Sequence, residues 1–228
     1  MDLGSTPDGV QYDIDGLYRG SVWDIGADQT PATVTKTIGS AGRDYSTIVA
    51  WAADLDAQGV YANGDSAVGE CYNDSEFGGY VAVVGGYTIG LSEIIIRAAE
   101  GERHDGTAGT GVTVTNTYLY EQLFLVNTPI PTKVEGLDIA LDFENTQGSF
   151  WTFTLDRDTA VTKCIARGRN AFSNIGYAFS YQVANLHNCI SYNCNTGAGI
   201  IDYSNATNRY IVNNTLYARY YGLNLSVS

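Results

Sequence analysis

The chain has 228 residues, of which 44% are apolar, and its 12 basic and 25 acidic side chains give a formal net charge of −13. This length and apolar content suit one folded domain and exclude a chain that is disordered by composition. The negative charge repels phosphate backbones, which argues against nucleic-acid binding, and no apolar run approaches the roughly 18 residues of a membrane span.

Residues 1–35 are predicted to form an extended, loop-like module, because glycine and proline interrupt them at short intervals. Within this module Asp13, Asp15 and Gly16 look like part of a calcium-binding loop, although a full loop needs further oxygen ligands and a distal glutamate. The alternative is a turn that the two carboxylates stabilise. Calcium at Asp13 and Asp15 is the one cofactor that the sequence raises.

One helix is predicted, from about residue 47 to residue 58, with Ser46 as its N-cap. Ile48, Trp51, Ala52 and Leu55 follow the spacing i, i+3, i+4 and i+7, which places them on one apolar face. Gly59 is a suitable residue for ending this helix.

From residue 60 onward the chain contains short runs rich in β-branched and aromatic residues between turn-forming residues, which predicts strands. The clearest runs are Tyr80–Val84, Glu93–Ala98, Gly111–Val114 and Leu123–Val126.

A weak repeat occupies the last hundred residues. Leu137, Cys164, Cys189 and Asn214 align at intervals of 27, 25 and 25 residues. A period of this size predicts stacked coils, each made of three short strands. Cys164 and Cys189 then lie on adjacent coils, where either a disulfide or a pair of buried free thiols fits the spacing of about 4.8 Å between strands.

The repeat segments around Cys164, Cys189 and Asn214 and the lone helix around Trp51 resemble the right-handed parallel β-helix superfamily of pectin-lyase-like folds. The segment Ile38–Tyr45, which leads into the helix, is similar to the entry segment of β-helix proteins from phages and environmental bacteria. The resemblance implies an all-β fold over residues 36–228: a right-handed parallel β-helix, a solenoid of about 25 residues per coil, with the helix at 47–58 as its N-terminal cap.

Such folds include polysaccharide lyases, glycoside hydrolases, phage tailspikes, adhesins and structural shafts, so the fold does not decide the function. A glycosidase needs two carboxylates about 5–9.5 Å apart, and the candidate pairs are Asp138 with Asp142 and Asp156 with Asp158. Ordinary acidic surface is the favoured interpretation of both pairs. Arg167 and Arg169 are expected in a surface turn, because no acidic cluster is evident at coil spacing.

Exposed tyrosines are the better candidates for ligand binding, because their rings offer a flat apolar face with a polar tip. The candidates are Tyr192, Tyr203, Tyr217 and Tyr220, together with His104 in a glycine-flanked loop. The alternative for the tyrosines is an internal aromatic stack. The recurring asparagines are expected to occupy left-handed turns and to stack their amides between coils.

We therefore expect a structural or attachment protein of a virion or a cell surface, and an enzyme is disfavoured. The expected partners are further structural subunits, in a homo-oligomer or a larger assembly, with a surface polysaccharide as a candidate ligand. The alternative is a polysaccharide lyase or glycoside hydrolase of the pectin-lyase-like fold.

Overall fold

A computed structural model describes residues 31–40, 42–116, 122–141, 150–154, 159–168, 175–180, 185–194, 198–202, 210–218 and 221–225. These residues form nineteen strands and one short helix, α1, at Ile48–Ala53. The prediction of an all-β chain is confirmed. The N-terminal module and its candidate calcium ligands, Asp13 and Asp15, lie outside the described residues.

The strands are short, and all but the first follow the helix. They are β1 Thr33–Ile38, β2 Ser66–Cys71, β3 Phe77–Gly78, β4 Val81–Val83, β5 Glu93–Ala98, β6 Thr113–Asn116, β7 Gln122–Val126, β8 Thr132–Glu135, β9 Asp138–Leu141, β10 Phe150–Thr154, β11 Thr159–Thr162, β12 Ile165–Gly168, β13 Ile175–Ser180, β14 Asn185–His187, β15 Ile190–Cys194, β16 Ala198–Asp202, β17 Tyr210–Val212, β18 Thr215–Ala218 and β19 Tyr221–Leu225.

The strands pair into three parallel sheets, which the chain visits in turn. The first sheet has the order β1-β2-β5-β8-β11-β14-β17, the second β3-β6-β9-β12-β15-β18, and the third β4-β7-β10-β13-β16-β19. From β2 onward each strand therefore pairs with the strand three places further along the chain.

The interval between paired residues of the first sheet is 25 or 27 positions, except between β5 and β8 and between β1 and β2, where Thr33 pairs with Ser66 across the segment that contains α1. Ser66 pairs with Glu93 and Thr132 with Thr159, both 27 positions apart, and the next two intervals are 25. Ile94 pairs with Thr132, 38 positions away, because an insertion separates β5 from β6.

The sequence repeat corresponds to equivalent positions in the second sheet. Each aligned residue stands directly before a strand, and the first residues of these strands, such as Asp138, Ile165 and Ile190, are in register. Cys164 and Cys189 are buried and their thiols are free. The Cys164 thiol instead lies 3.6 Å from the Val134 carbonyl of β8, and the Cys189 thiol lies 3.5 Å from the Val161 carbonyl of β11, so the buried-thiol alternative holds.

A left-handed residue precedes each aligned position and turns the chain from the first sheet into the second. Gly136, Lys163, Asn188 and Asn213 have φ values of 71°, 52°, 55° and 53°. Asn213 Nδ2 donates to Asn188 Oδ1 at 2.6 Å. The predicted roles of asparagine in left-handed turns and in stacked amides are therefore confirmed at these positions.

Columns of inward-facing aliphatic side chains form the core. Ile96, Val134, Val161 and Leu186 are in register on successive strands of the first sheet, and all four are completely buried. Full burial of each such side chain contributes about 1.5–3 kcal/mol, so packing within these columns stabilises adjacent strands of the sheet.

Helix α1 is shorter than predicted and begins one residue later. Its N-cap is Thr47 rather than Ser46, and Thr47 Oγ1 accepts a hydrogen bond from the Ala50 N–H at 3.0 Å. The helix ends at Ala53 because Asp54 leaves helical geometry and continues into tight turns, its carboxylate accepting from the Tyr45 hydroxyl at 3.0 Å.

The predicted apolar face of the helix is confirmed. Ile48, Trp51 and Leu55 are at most 1% exposed, and α1 packs against β1, β2 and β4. Trp51 Nε1 donates to the Tyr61 hydroxyl at 2.8 Å, which satisfies the one polar group of the buried indole. In the part of the chain that is described, no helix has the length and apolar character to cross a bilayer.

Candidate ligand-binding site

The insertion between β5 and β6, residues 99–112, is a compact loop closed at its base. Glu102 N–H donates to the Ala99 carbonyl at 3.0 Å, and Val112 N–H donates to the Glu102 carbonyl at 3.1 Å. Gly111 has φ +71°, and a Cβ there would come within 3 Å of the backbone of Glu102 and Arg103. This position therefore requires glycine.

Hydrogen bonds inside the loop hold its tip. Asp105 Oδ1 accepts from the Thr107 N–H at 2.8 Å and from the Thr110 hydroxyl at 2.9 Å. These bonds favour the ionised carboxylate and lower the pKa of Asp105, the Thr107 N–H contributing most. These hydrogen bonds fix the conformation of the 99–112 loop.

His104 connects the 99–112 loop to the turn between β11 and β12. Its Nε2 lies 2.6 Å from the Lys163 carbonyl, and the Gly106 N–H approaches its Nδ1 at 3.2 Å. Because an N–H group can only donate, Nδ1 is the acceptor and Nε2 carries the proton that bonds Lys163. The structure assigns His104 this anchoring contact, and its predicted part in ligand binding stays a prediction.

An ion pair lies under the loop, on the outer face of the second sheet. Asp138 opens β9 and Arg167 is in β12. Arg167 Nε donates to Asp138 Oδ1 at 2.9 Å, and Nη2 donates to Oδ2 at 2.8 Å. The Gly109 N–H of the loop adds a third donor, to Oδ2 at 2.7 Å. The exposed fraction of the Asp138 side chain is 0% and that of Arg167 is 8%.

This pair corrects the expectation that Arg167 lies in a surface turn with no acid at coil spacing. Asp138 is in register with Ile165, two residues before Arg167, so the guanidinium crosses only one strand interval to reach the carboxylate. The adjacent positions Ile139 and Ala166 belong to the core, and strand alternation therefore places Asp138 and Arg167 on the opposite face.

The guanidinium of Arg167 keeps its charge in this buried position. Burial alone would lower the pKa of the Arg167 guanidinium, but the hydrogen bonds and the charge of Asp138 outweigh that effect, and the pKa is raised. Glu76 adds a smaller contribution in the same direction, which places a second carboxylate within electrostatic range.

A polar cavity of about 230 Å³ adjoins the ion pair. Its lining combines the turn before β3, the 99–112 loop and two strands of the second sheet: Asn73, Ser75, Glu76, Gly109, Thr113 and Arg167. Arg167 bonds Asp138 through Nε and Nη2, and its Nη1 makes no hydrogen bond to the described residues.

Two of the predicted tyrosines continue this face beyond Arg167. Tyr192 pairs in register with Arg167 on β15 and is half-buried. Burial, the largest effect, raises the pKa of its phenol, whereas Arg167 opposes the rise. Tyr217, on β18, follows the partly buried Leu216 and is 76% exposed, so it lies on the outer face of the second sheet, on the strand next to β15.

Other predicted site residues lie outside the described residues. They are the metal candidates Asp13 and Asp15, the tyrosines Tyr203 and Tyr220, the carboxylates Asp142, Asp156 and Asp158, and Arg169. Within the described ranges, no three His, Cys, Asp or Glu side chains group in a way that could hold a metal ion.

No protein family, curated protein or solved structure matches this chain. The function must therefore be argued from the fold and from the cavity.

Sequence reasoning missed Asn73, Ser75, Glu76 and Thr113, because no local pattern connects a turn before β3 with an arginine in β12. A signal was present for the ion pair. Asp138 is one residue after an aligned position of the repeat, where the next two coils carry isoleucine. A charge in an apolar column marks a site that needs a partner.

Proposed function

We propose that residues 36–228 form a right-handed parallel β-helix, capped at its N-terminal end by α1, that serves as a structural or attachment element of a virion or a cell surface. The observation that carries this proposal is the set of three parallel sheets in which, from β2 onward, each strand pairs with the strand three places further along the chain. The loop-like module at 1–35 remains a prediction beside it.

The repeated contacts serve the stacking of coils. Inward aliphatic columns, the asparagine amides and the left-handed turns each recur from coil to coil and hold neighbours together. A stack that is stabilised in this way is stiff, which suits a shaft or an attachment element.

The exposed surface of the last described coil supports assembly with further subunits. Tyr210 and Val212, both in β17 of the first sheet, are 58% and 49% exposed. Aromatic side chains are enriched in protein interfaces. We infer that neighbouring subunits, in a homo-oligomer or a larger assembly, contact this part of the molecule.

Engineered disulfides test the coil register. Lys133 and Ala160 are in register on adjacent strands, so cysteines at these two positions should form a disulfide under mild oxidation. The matched control pairs Lys133 with Asn185, two strand intervals and thus about 10 Å away, which is too far for a disulfide. A cross-link in the control, or none in the test pair, would overturn the proposed stacking.

Light scattering after size-exclusion chromatography tests the assembly. We expect a mass that is a multiple of 24.5 kDa, and a lower mass for the variant Tyr210→Ser with Val212→Ser. A monomer at every concentration would contradict the assembly, while leaving the coil register to the disulfide test.

A polysaccharide lyase or glycoside hydrolase is the second candidate function, and one observation favours it. Arg167 and Glu76 line the same cavity, which offers a cation and a carboxylate to a bound sugar. Incubation with acidic and neutral polysaccharides, followed by assays for unsaturated products and for reducing ends, tests it. Turnover that is lost in Glu76→Gln would establish the enzyme; no turnover on any polymer favours the attachment element.

A further inference from the structure

The charges around the cavity disfavour an anionic ligand. Arg167 contributes one positive charge, whereas Asp138 and Glu76 contribute two negative charges, so the local sum is −1. The chain as a whole carries −13. A uronate, sulfate or phosphate group would meet repulsion both in the cavity and on its approach.

The same residues disfavour a metal cation. The guanidinium of Arg167 is part of the cavity wall, 92% of its side chain is removed from solvent, and its charge is held there by Asp138. A cation in the cavity would be close to this fixed positive charge in a region of reduced dielectric.

A neutral molecule with many hydroxyl groups avoids both penalties. Glu76 offers acceptors, Arg167 offers the N–H groups of Nη1, and Asn73, Ser75 and Thr113 provide groups that both donate and accept. The cavity of about 230 Å³ has room for a small polar ligand such as one sugar unit.

Tyr192 and Tyr217 continue the polar surface of the cavity along the second sheet, and the cavity together with these two tyrosines is called the track. Tyr192 pairs with Arg167, and β18, which carries Tyr217, is the next strand of the sheet beyond β15. At about 4.8 Å per strand, Tyr217 lies roughly 10 Å from Arg167 across the strands, and the register irregularity between Ser191 and Cys194 adds an offset along them. Its exposed ring is a flat platform on which a second sugar unit can stack.

We propose that this track, from the cavity at Glu76 and Arg167 to the ring of Tyr217, binds an uncharged polysaccharide. The proposal rests on the function as an attachment element and adds to it the class of ligand and the face that binds it.

Titration calorimetry with neutral and acidic oligosaccharides tests the proposal. The probes are oligomers of glucose, mannose, galactose and N-acetylglucosamine, and oligogalacturonate as the acidic counterpart. We expect binding to at least one neutral oligomer and at least tenfold weaker binding of oligogalacturonate. Preference for the uronate, or no binding of any neutral oligomer at millimolar concentration, would overturn the proposal.

Variants locate the binding to this face. Tyr217→Ala should weaken binding of the neutral oligomer about tenfold, whereas Tyr217→Phe should retain most of it because the ring remains. Tyr87→Ala is the matched control: it removes a tyrosine that is 59% exposed and lies between β4 and β5, away from both proposed surfaces, and it should change affinity less than twofold. Equal losses in Tyr87→Ala and Tyr217→Ala would refute the assignment of the face.

The variant Glu76→Gln tests the charge argument. It removes one negative charge from the cavity lining, so discrimination against oligogalacturonate should fall several-fold, and unchanged discrimination would contradict the electrostatic reasoning. Because the disulfide and light-scattering experiments use no glycan, failure of this proposal is distinguishable from failure of the attachment role.

Discussion

Removal of one partner of the Asp138–Arg167 pair should destabilise the fold more than removal of both. Asp138→Leu leaves a guanidinium buried to 92% without its carboxylate. Arg167→Met leaves a fully buried carboxylate that, among the described residues, keeps the Gly109 N–H as its donor. The double variant leaves neither charge, and its two apolar side chains can pack under the 99–112 loop.

The size of the effect follows from the burial of both groups. Breaking a buried ion pair at one end costs about 3–5 kcal/mol, whereas replacing both partners with apolar residues is often neutral. For a chain of this length, 1 kcal/mol corresponds to about 2–4 °C, so each single variant should melt about 6–20 °C lower. The coupling free energy is the cost of the double variant minus the sum of the two single costs, so a near-neutral double variant gives a coupling of about −6 to −10 kcal/mol.

Thermal and urea unfolding followed by circular dichroism measure these differences. Arg97→Met is the matched control, because Arg97 also reaches across one strand interval, to Glu70 at 2.9 Å, but 38% of its side chain is exposed. An exposed pair contributes about 0–1 kcal/mol. The reasoning is refuted if the two single changes add up in the double variant, or if Arg97→Met costs as much as Arg167→Met.

Further predictions concern the cap, the core, the turns and the response to alkali. Trp51→Ala, at a fully buried position, should cost about 3–5 kcal/mol in urea unfolding. Ser191→Ala should raise the melting temperature, because the buried Ser191 hydroxyl has no hydrogen-bond partner among the described residues. At Lys163, where φ is +52°, Val should be less stable than Gly by about 1–2 kcal/mol in the same assay. Burial and the hydrogen bond to Asp54 raise the pKa of Tyr45 from 10.0 to about 12, so the neutral phenol is favoured in the folded state. That contribution is complete below pH 10 and is lost as the pH rises to 12; Tyr45→Phe should flatten the fall in stability over this range.

The features that the sequence predicted well are those with a local pattern. The apolar face of α1 follows from the spacing of Ile48, Trp51 and Leu55, and the stacked amides follow from asparagines placed 25 residues apart, such as Asn188 and Asn213. The register of the second sheet was visible in the repeat because each coil repeats the same bend before its strand.

The cavity could not be predicted in this way, because its parts come from different coils and from an insertion. Glu76 and Arg167 are 91 positions apart, and their proximity depends on how many coils separate them and on the 38-residue interval. The burial of Arg167 could not be predicted, because the 99–112 loop covers it. The sequence of β9 and β12 does not indicate that a distant loop packs over these strands.

The uneven interval between β5 and β8 has a consequence for how such a molecule can change. The parallel pairing of Ile94 with Thr132 is kept although eleven more residues separate them than separate Ser66 from Glu93. The spacing between paired strands therefore does not depend on the length of the segment that connects them. The connecting segment is free to vary and to bring its own polar groups to the surface of the sheet. In such a design a new loop alters what is recognised, and an added coil moves Tyr217 away from Arg167 by one fixed step of about 4.8 Å.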